Sequence, residues 1–266
     1  MEIIRLPEYD EVYKDVEELR KEIPRLIGER DELIFVICKN IETAYMLAVG
    51  SLEYKVYEAE CVYRRLKRKL QLIRAKKNRQ EKINLSEIES LLDEEMEEYK
   101  NMLLAKMQAM NEALARNEGK ALSEKETKEL KELYRKIVKV LHPDLNPDIT
   151  EEQTELFLRA VMAYKNGDID TLRLISEMVG EPISNYREDS FSELVKTREK
   201  LFASLQRVKN EIELIKGRFP YNKKDFIDDK EAIEQRKLEL EGAIFDYKQM
   251  ISDLEEKIKE LTKNEQ

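Results

Sequence analysis

The stretch "YRKIVKVLHPDLNPD", Tyr134 to Asp148, holds the only histidine of the 266-residue chain, with a proline and an aspartate directly after it. An imidazole and a carboxylate two residues apart can serve as a general-base pair, as a polar recognition corner, or, for the imidazole alone, as a helix cap favoured by the dipole at a helix C-terminus. Pro143 decides the local geometry. Its ring disfavours the helical conformation of the preceding residue, so the helix is expected to end at Leu141 or His142. Pro143 also fixes its own φ, and Asp144 follows in a constrained loop, which leaves His142, Pro143 and Asp144 at a rigid exposed corner. The pair comes with no nucleophile or oxyanion site, and with no second histidine a metal site is not expected. A non-enzymatic role is expected, without cofactor or metal.

Two helices must position that corner. Ser123 with Glu126 forms a capping box that opens a helix running to Leu141, and Thr150 with Gln153 forms another that opens the next helix after Pro147. At about 100° per residue, Leu130, Tyr134, Ile137, Val138 and Leu141 fall on one side of the first helix, while Lys128, Lys131, Arg135 and Lys139 fall on the other. Phe157, Ala160, Val161 and Tyr164 share a face of the second helix that can pack on the apolar side of the first. Beyond it, Gly167 breaks the chain and Asp168 or Asp170 caps one more short helix with Leu172, Ile175 and Met178 on its apolar side. Gly180 and Pro182 stop that helix.

This unit resembles the J domain of DnaJ-type co-chaperones. The resemblance rests on the His142-Pro143-Asp144 tripeptide, on Tyr134, Arg135, Lys136 and Ile137 before it, on Asn146 after it, and on Phe157, Ala160, Ala163 and Tyr164 at the family's third-helix spacing. It covers about Ser123 to Tyr164. It implies docking on a DnaK-type ATP-driven chaperone whose hydrolysis the module stimulates, with His142, Pro143, Asp144, Tyr134, Arg135, Lys136, Lys139, Lys131 and Asn146 as the chaperone-binding group. The basic face would steer the approach, an effect that salt weakens. The pattern departs from the family in two places. No "YxxLG" first helix precedes the unit, so that packing partner is expected from the end of the Ser86 to Arg116 helix or not at all, and Leu145 stands where arginine or lysine is usual. No Gly/Phe-rich linker or cysteine-rich zinc module accompanies it.

The remainder reads as long amphipathic helices. Charged residues make up 39% of the chain, with 7 glycines, 6 prolines and no tryptophan, and no segment carries a convincing sheet signal. An all-α fold is expected, with long antiparallel coiled-coil hairpins flanking the small J-like module. One stripe, through Ile34, Cys38, Ile41, Tyr45, Leu52, Leu66, Leu70 and Ile73, predicts a helix over about Asp31 to Gln80, on the order of 75 Å long. Its basic end, Arg64 to Lys82, faces an acidic start at Ser86 with Glu89 as a capping box, so the two are expected to fold back and pair their charges. The returning stripe runs through Ile88, Leu92, Tyr99, Leu103, Met110 and Leu114, and "RNEGK" ends it. Nucleic-acid binding by the basic run is the minor alternative, disfavoured by a net charge of -9.

Phe191, Arg198, Leu205 and Ile212, with Leu194, Leu201, Val208 and Ile215, make a heptad seam. Ile233, Leu240, Tyr247, Leu254 and Leu261, with Ile244, Ile251 and Ile258, make a second one after the breakers Gly217 and Pro220. The short connection predicts an antiparallel hairpin between them. Three domains are expected: an N-terminal arm over 1–118, the J-like module over 119–182 and a C-terminal hairpin over 183–266. The arms would bind a client protein or join two copies of the chain. Cys38 and Cys61 read as buried free thiols in a reducing, cytoplasmic setting. The N-terminus lacks a secretory pattern, and the longest apolar run, "LIFVIC", is too short to span a bilayer, so no membrane partner is expected. The competing reading is a coiled-coil scaffold whose degenerate J-like unit no longer engages a chaperone.

Overall fold

The computed structural model describes residues 7–118, 122–147, 149–179 and 191–263, and every regular element among them is helical. In chain order these are α1 (Pro7–Glu32), α2 (Cys38–Tyr45), α3 (Ser51–Asn78), α4 (Leu85–Glu95), α5 (Glu97–Glu118), α6 (Glu124–Leu141), α7 (Glu151–Asn166), α8 (Ile169–Val179), α9 (Phe191–Lys216), α10 (Lys224–Asp228) and α11 (Lys230–Thr262). Leu33–Ile37 and Met46–Gly50 are π-helical, and Tyr221–Lys223 is a 3-10 turn. The fold is all-α. Helix therefore begins at Pro7, well before the stripe at Asp31 suggested. By length and composition, the helical run Glu8–Asn78 contains an 18-residue window apolar enough to cross a membrane, and 39% of that window is buried inside the protein.

The chain divides into two compact units, and neither is continuous in sequence: residues 1–40 with 120–222, and residues 41–119 with 223–266. This replaces the expected division at 118 and 182. In the first unit α1 lays Val12, Val16, Leu19, Ile23, Leu26 and Ile27, three and four residues apart, into a core shared with α6, α7, α8 and α9. The seam of α9 packs there through Leu194, Leu201, Leu205, Val208 and Ile212. Ion pairs rise in step along α1 and α9, Asp15 to Arg198 at 3.4 Å, Glu22 to Lys209 at 3.0 Å and Arg30 to Glu211 at 3.0 Å, so the two helices run parallel. The packing partner expected from the end of the Ser86 to Arg116 helix is instead α1, which packs directly on α6.

In the second unit α11 packs on α3 in the same parallel sense, with Arg236 beside Glu53 at 3.4 Å, Tyr247 against Tyr63 at 5.8 Å, and Ile258 and Leu261 against the Ile73–Leu92 cluster. The expected antiparallel C-terminal hairpin is thereby corrected: α9 and α11 each take an N-terminal helix as partner. The fold-back of α4 on α3 does form. Arg65 meets Glu89 and Asp93, Arg68 meets Glu95, Lys69 meets Glu89 and Lys76 meets Glu87. The cap differs, because Asn84 rather than Ser86 accepts the N–H groups of the first turn, from Ser86 and Glu87. On the returning stripe Ile88 and Leu92 are buried, but further along Ala113 is buried and Leu114 exposed. Both cysteines are free thiols; Cys38 is buried and Cys61 only half-buried. Gly119 and Lys120 at the end of "RNEGK", and the stop signals Gly180 and Pro182, lie outside the described residues.

Candidate functional site

The corner lies inside the first unit, at the join of α6 and α7. Both capping boxes form in full: Ser123 Oγ accepts the Glu126 N–H while Glu126 accepts the Ser123 N–H, and Thr150 and Gln153 do the same. α6 ends at Leu141. His142 takes an extended conformation (φ −72°, ψ 128°), as a residue before proline should, while its N–H still donates to Val138. The loop then closes on the histidine. Its carbonyl accepts the N–H groups of Leu145 and Asn146, both at 3.0 Å, and its Nδ1 accepts the Asp144 N–H at 3.1 Å. The Asn146 side-chain amide donates back to the Lys139 carbonyl.

His142 is only 8% exposed, its ring edge-on to Phe157 at 5.2 Å, which corrects the expectation of a freely exposed imidazole. Burial pushes its pKa below the ordinary 6.5, with the Asp144 carboxylate opposing the shift. The neutral ring is what Nδ1 needs in order to accept the Asp144 N–H. Pro143 is exposed. Asp144 is held from α9: its Oδ2 accepts the Ser204 hydroxyl at 2.8 Å and pairs with Arg207 at 3.4 Å. Leu145, at the position where the resemblance leads one to expect a cation, packs instead against the apolar core.

Tyr134 is not a surface residue either. It is 1% exposed, stacks on Tyr164 at 4.2 Å, and donates its hydroxyl to Asp31 at 2.7 Å, so burial and the Asp31 charge push its pKa far up. Asp31 also accepts Arg30, which reaches Glu211 on α9. Burial opposes the guanidinium charge of Arg30, but Asp31 and Glu211 outweigh it and the pKa is raised. These polar groups edge a cleft of about 400 Å³ whose other walls include Phe35, Phe157, Val161 and Leu214. Of the basic face, Lys128, Arg135 and Lys139 are exposed, Lys136 is half-buried, and Lys131 is half-buried and paired with Glu32 at 2.5 Å. Arg135 lies over Gly28 of α1, where a Cβ would come within 3.2 Å of its side chain.

Sequence reasoning missed Ser204, Arg207, Arg30 and Asp31. Ser204 did leave a trace, a small polar residue on the buried face between Leu201 and Val208; the others stand among the ordinary surface charges of helices. The basic end of α3 forms a separate cleft of about 360 Å³ in the second unit, with Tyr63, Arg64, Lys67, Arg68, Tyr99 and Tyr247. There Glu60 and Glu95 pair with Arg64 and Arg68. Among the described residues no group of three or more His, Cys, Asp or Glu side chains is arranged to hold a metal ion. No protein-family model, curated protein or solved structure matches the chain.

Proposed function

We propose that this chain is a co-chaperone or adaptor that docks on a DnaK-type chaperone through the α6 face and the His142-Pro143-Asp144 corner and stimulates its ATP hydrolysis. It is not itself an enzyme in this reading, and it works in the cytoplasm. One observation carries the proposal: an exposed proline corner stands at the end of a capped helix whose Lys128, Arg135 and Lys139 project to solvent. Such a surface suits an acidic partner, because exposed cations steer encounter and a preformed corner loses little ordering entropy on docking. Tyr134 contributes from the core, as a support for α6. The paired helices beyond the corner are where a client protein, or a second copy of the chain, would be held.

The test is the single-turnover ATPase rate of a DnaK-type chaperone with the parent protein, with Lys128→Glu/Lys139→Glu, and with Asp144→Ala. Stimulation by the parent that both variants reduce, and that added salt weakens, is the expected result. No stimulation by the parent at any concentration would sink the proposal. A second reading, a helical scaffold with an inactive J-like unit, is favoured by the hold of Ser204 and Arg207 on Asp144.

A further inference from the structure

We infer that α9 is a built-in competitor for the recognition corner, a latch in which Ser204 and Arg207 occupy the Asp144 carboxylate until a partner's cation displaces Arg207. The inference rests on the co-chaperone reading and adds regulation to it. Three observations carry it. Asp144 carries the carboxylate of the tripeptide, and its side-chain partners Ser204 and Arg207 both come from a helix about 60 residues further along the chain. Leu145 packs against the core, so the side of the loop that carries Asp144 is drawn onto the body of the unit while Pro143 stays in solvent. The latch is also separable from the fold. Leu201, Leu205, Val208 and Ile212 bury α9 whatever Asp144 does, whereas Arg207 is 58% exposed and Asp144 26%.

That separation sets the mechanism. An ion pair open to solvent on its Arg207 side, with one hydrogen bond from the buried Ser204 hydroxyl, is weak enough for a partner's cation to displace Arg207, yet it lowers the population of the corner that can bind. A cation on the chaperone would take the place of Arg207 at Asp144, and α9 would keep its apolar seam on α1. No bond is made or broken covalently, and α9 itself need not detach. Arg207 and Asp144 are the charged pair exchanged, and Arg30 and Asp31 join them in acting on the neighbouring His142.

The experiment uses the full chain and the double variant Ser204→Ala/Arg207→Ala, with far-ultraviolet circular dichroism and a thermal melt to establish that it folds. Amide hydrogen exchange over 142–147 reads the latch without any chaperone, and the half-maximal concentration for ATPase stimulation reads its consequence. The latch predicts faster exchange and a half-maximal concentration lower by about tenfold, the scale of two weak polar contacts. Equal half-maximal concentrations overturn the latch and leave the co-chaperone reading standing, as does unchanged exchange with the parent active. If neither protein stimulates, the reading fails and the latch fails with it.

Discussion

At the scale of single residues, the corner is a small network in which each polar group has one job. His142 Nδ1 accepts an N–H, its carbonyl gathers the two next N–H groups of the loop, and Asp144 reaches across to α9. The network depends on a neutral imidazole, because a doubly protonated ring has no lone pair for the Asp144 N–H. The pKa of His142 is depressed in the folded chain, so the unfolded chain binds the proton first as pH falls below 6.5. Stability contributed by the neutral ring is therefore complete above that value and is lost as pH falls through it toward the folded pKa. His142 is the only histidine, and the carboxylates with depressed pKa, such as Glu89 and Asp168, start from 4.5 and 3.8. A loss of stability between pH 7.5 and 5.5 is thus assignable to one side chain, with a slope of at most about 1.4 kcal/mol per pH unit. Urea unfolding of the parent should show that loss, and His142→Gln should be flat over the same range. Equal parent stability at the two pH values would remove the basis for a neutral, buried imidazole.

At the scale of elements, ends and pairings obey different rules, and the sequence shows the first far better than the second. A capping box is complete within four residues, so Ser123–Glu126 and Thr150–Gln153 were legible and both form. Gly167 was legible as a break for the same local reason: it sits at φ 71°, left-handed, with the following Asp168 N–H closing on Ala163. A β-carbon there is strained and also comes 3.3 Å from the Leu122 side chain. Gly167→Ala should therefore destabilise by about 1–2 kcal/mol. Gly242→Ala, in the interior of α11 with nothing within 4 Å of the new methyl, should stabilise by up to about 1 kcal/mol. Chemical denaturation midpoints moving in opposite directions check both substitutions; a neutral Gly167→Ala would mean that the αL cap is not required. Pairing, by contrast, is a property of faces far apart in the chain. The heptad seams of α9 and α11 were visible, but their partners lie some 180 residues upstream, and a rule built on short connections matched them to each other. The same distance hid the site. His142 and Asp144 could be read from neighbours, while Ser204 and Arg207 could not, because only the α1–α9 pairing brings them to the corner. Met178 shows the cost of reading one helix alone: it continues the apolar stripe of Leu172 and Ile175 yet is 65% exposed.

At the scale of the whole molecule, parallel pairing explains why sequence domains and structural units disagree. Two parallel helices of one chain cannot be joined by a tight turn, so everything between them becomes a crossover. α6, α7 and α8 belong to the crossover between α1 and α9. The α6–α8 segment is consequently not a free-standing domain. Its core residues Leu130, Tyr134, Ile137, Val138 and Leu141 belong to one apolar cluster with Ile23, Ile27, Leu205 and Val208, and its buried Tyr134 hydroxyl depends on Asp31. Expressed as residues 119–182, the module would lose those partners and expose the apolar side of α6 to water. Burial of each large aliphatic side chain contributes roughly 1.5–3 kcal/mol, and a domain's whole net stability is about 5–15 kcal/mol. Losing four or more such partners is then enough to abolish cooperative folding. The fragment should give weak helical circular dichroism and a broad, non-sigmoidal melt, where the full chain melts cooperatively. It should also fail to stimulate a chaperone that the full chain stimulates, because the corner is held in shape by residues the fragment lacks. A fragment with native-like ellipticity and a sigmoidal melt would show instead that α6, α7 and α8 carry their own core, and that α1 and α9 merely lie against it.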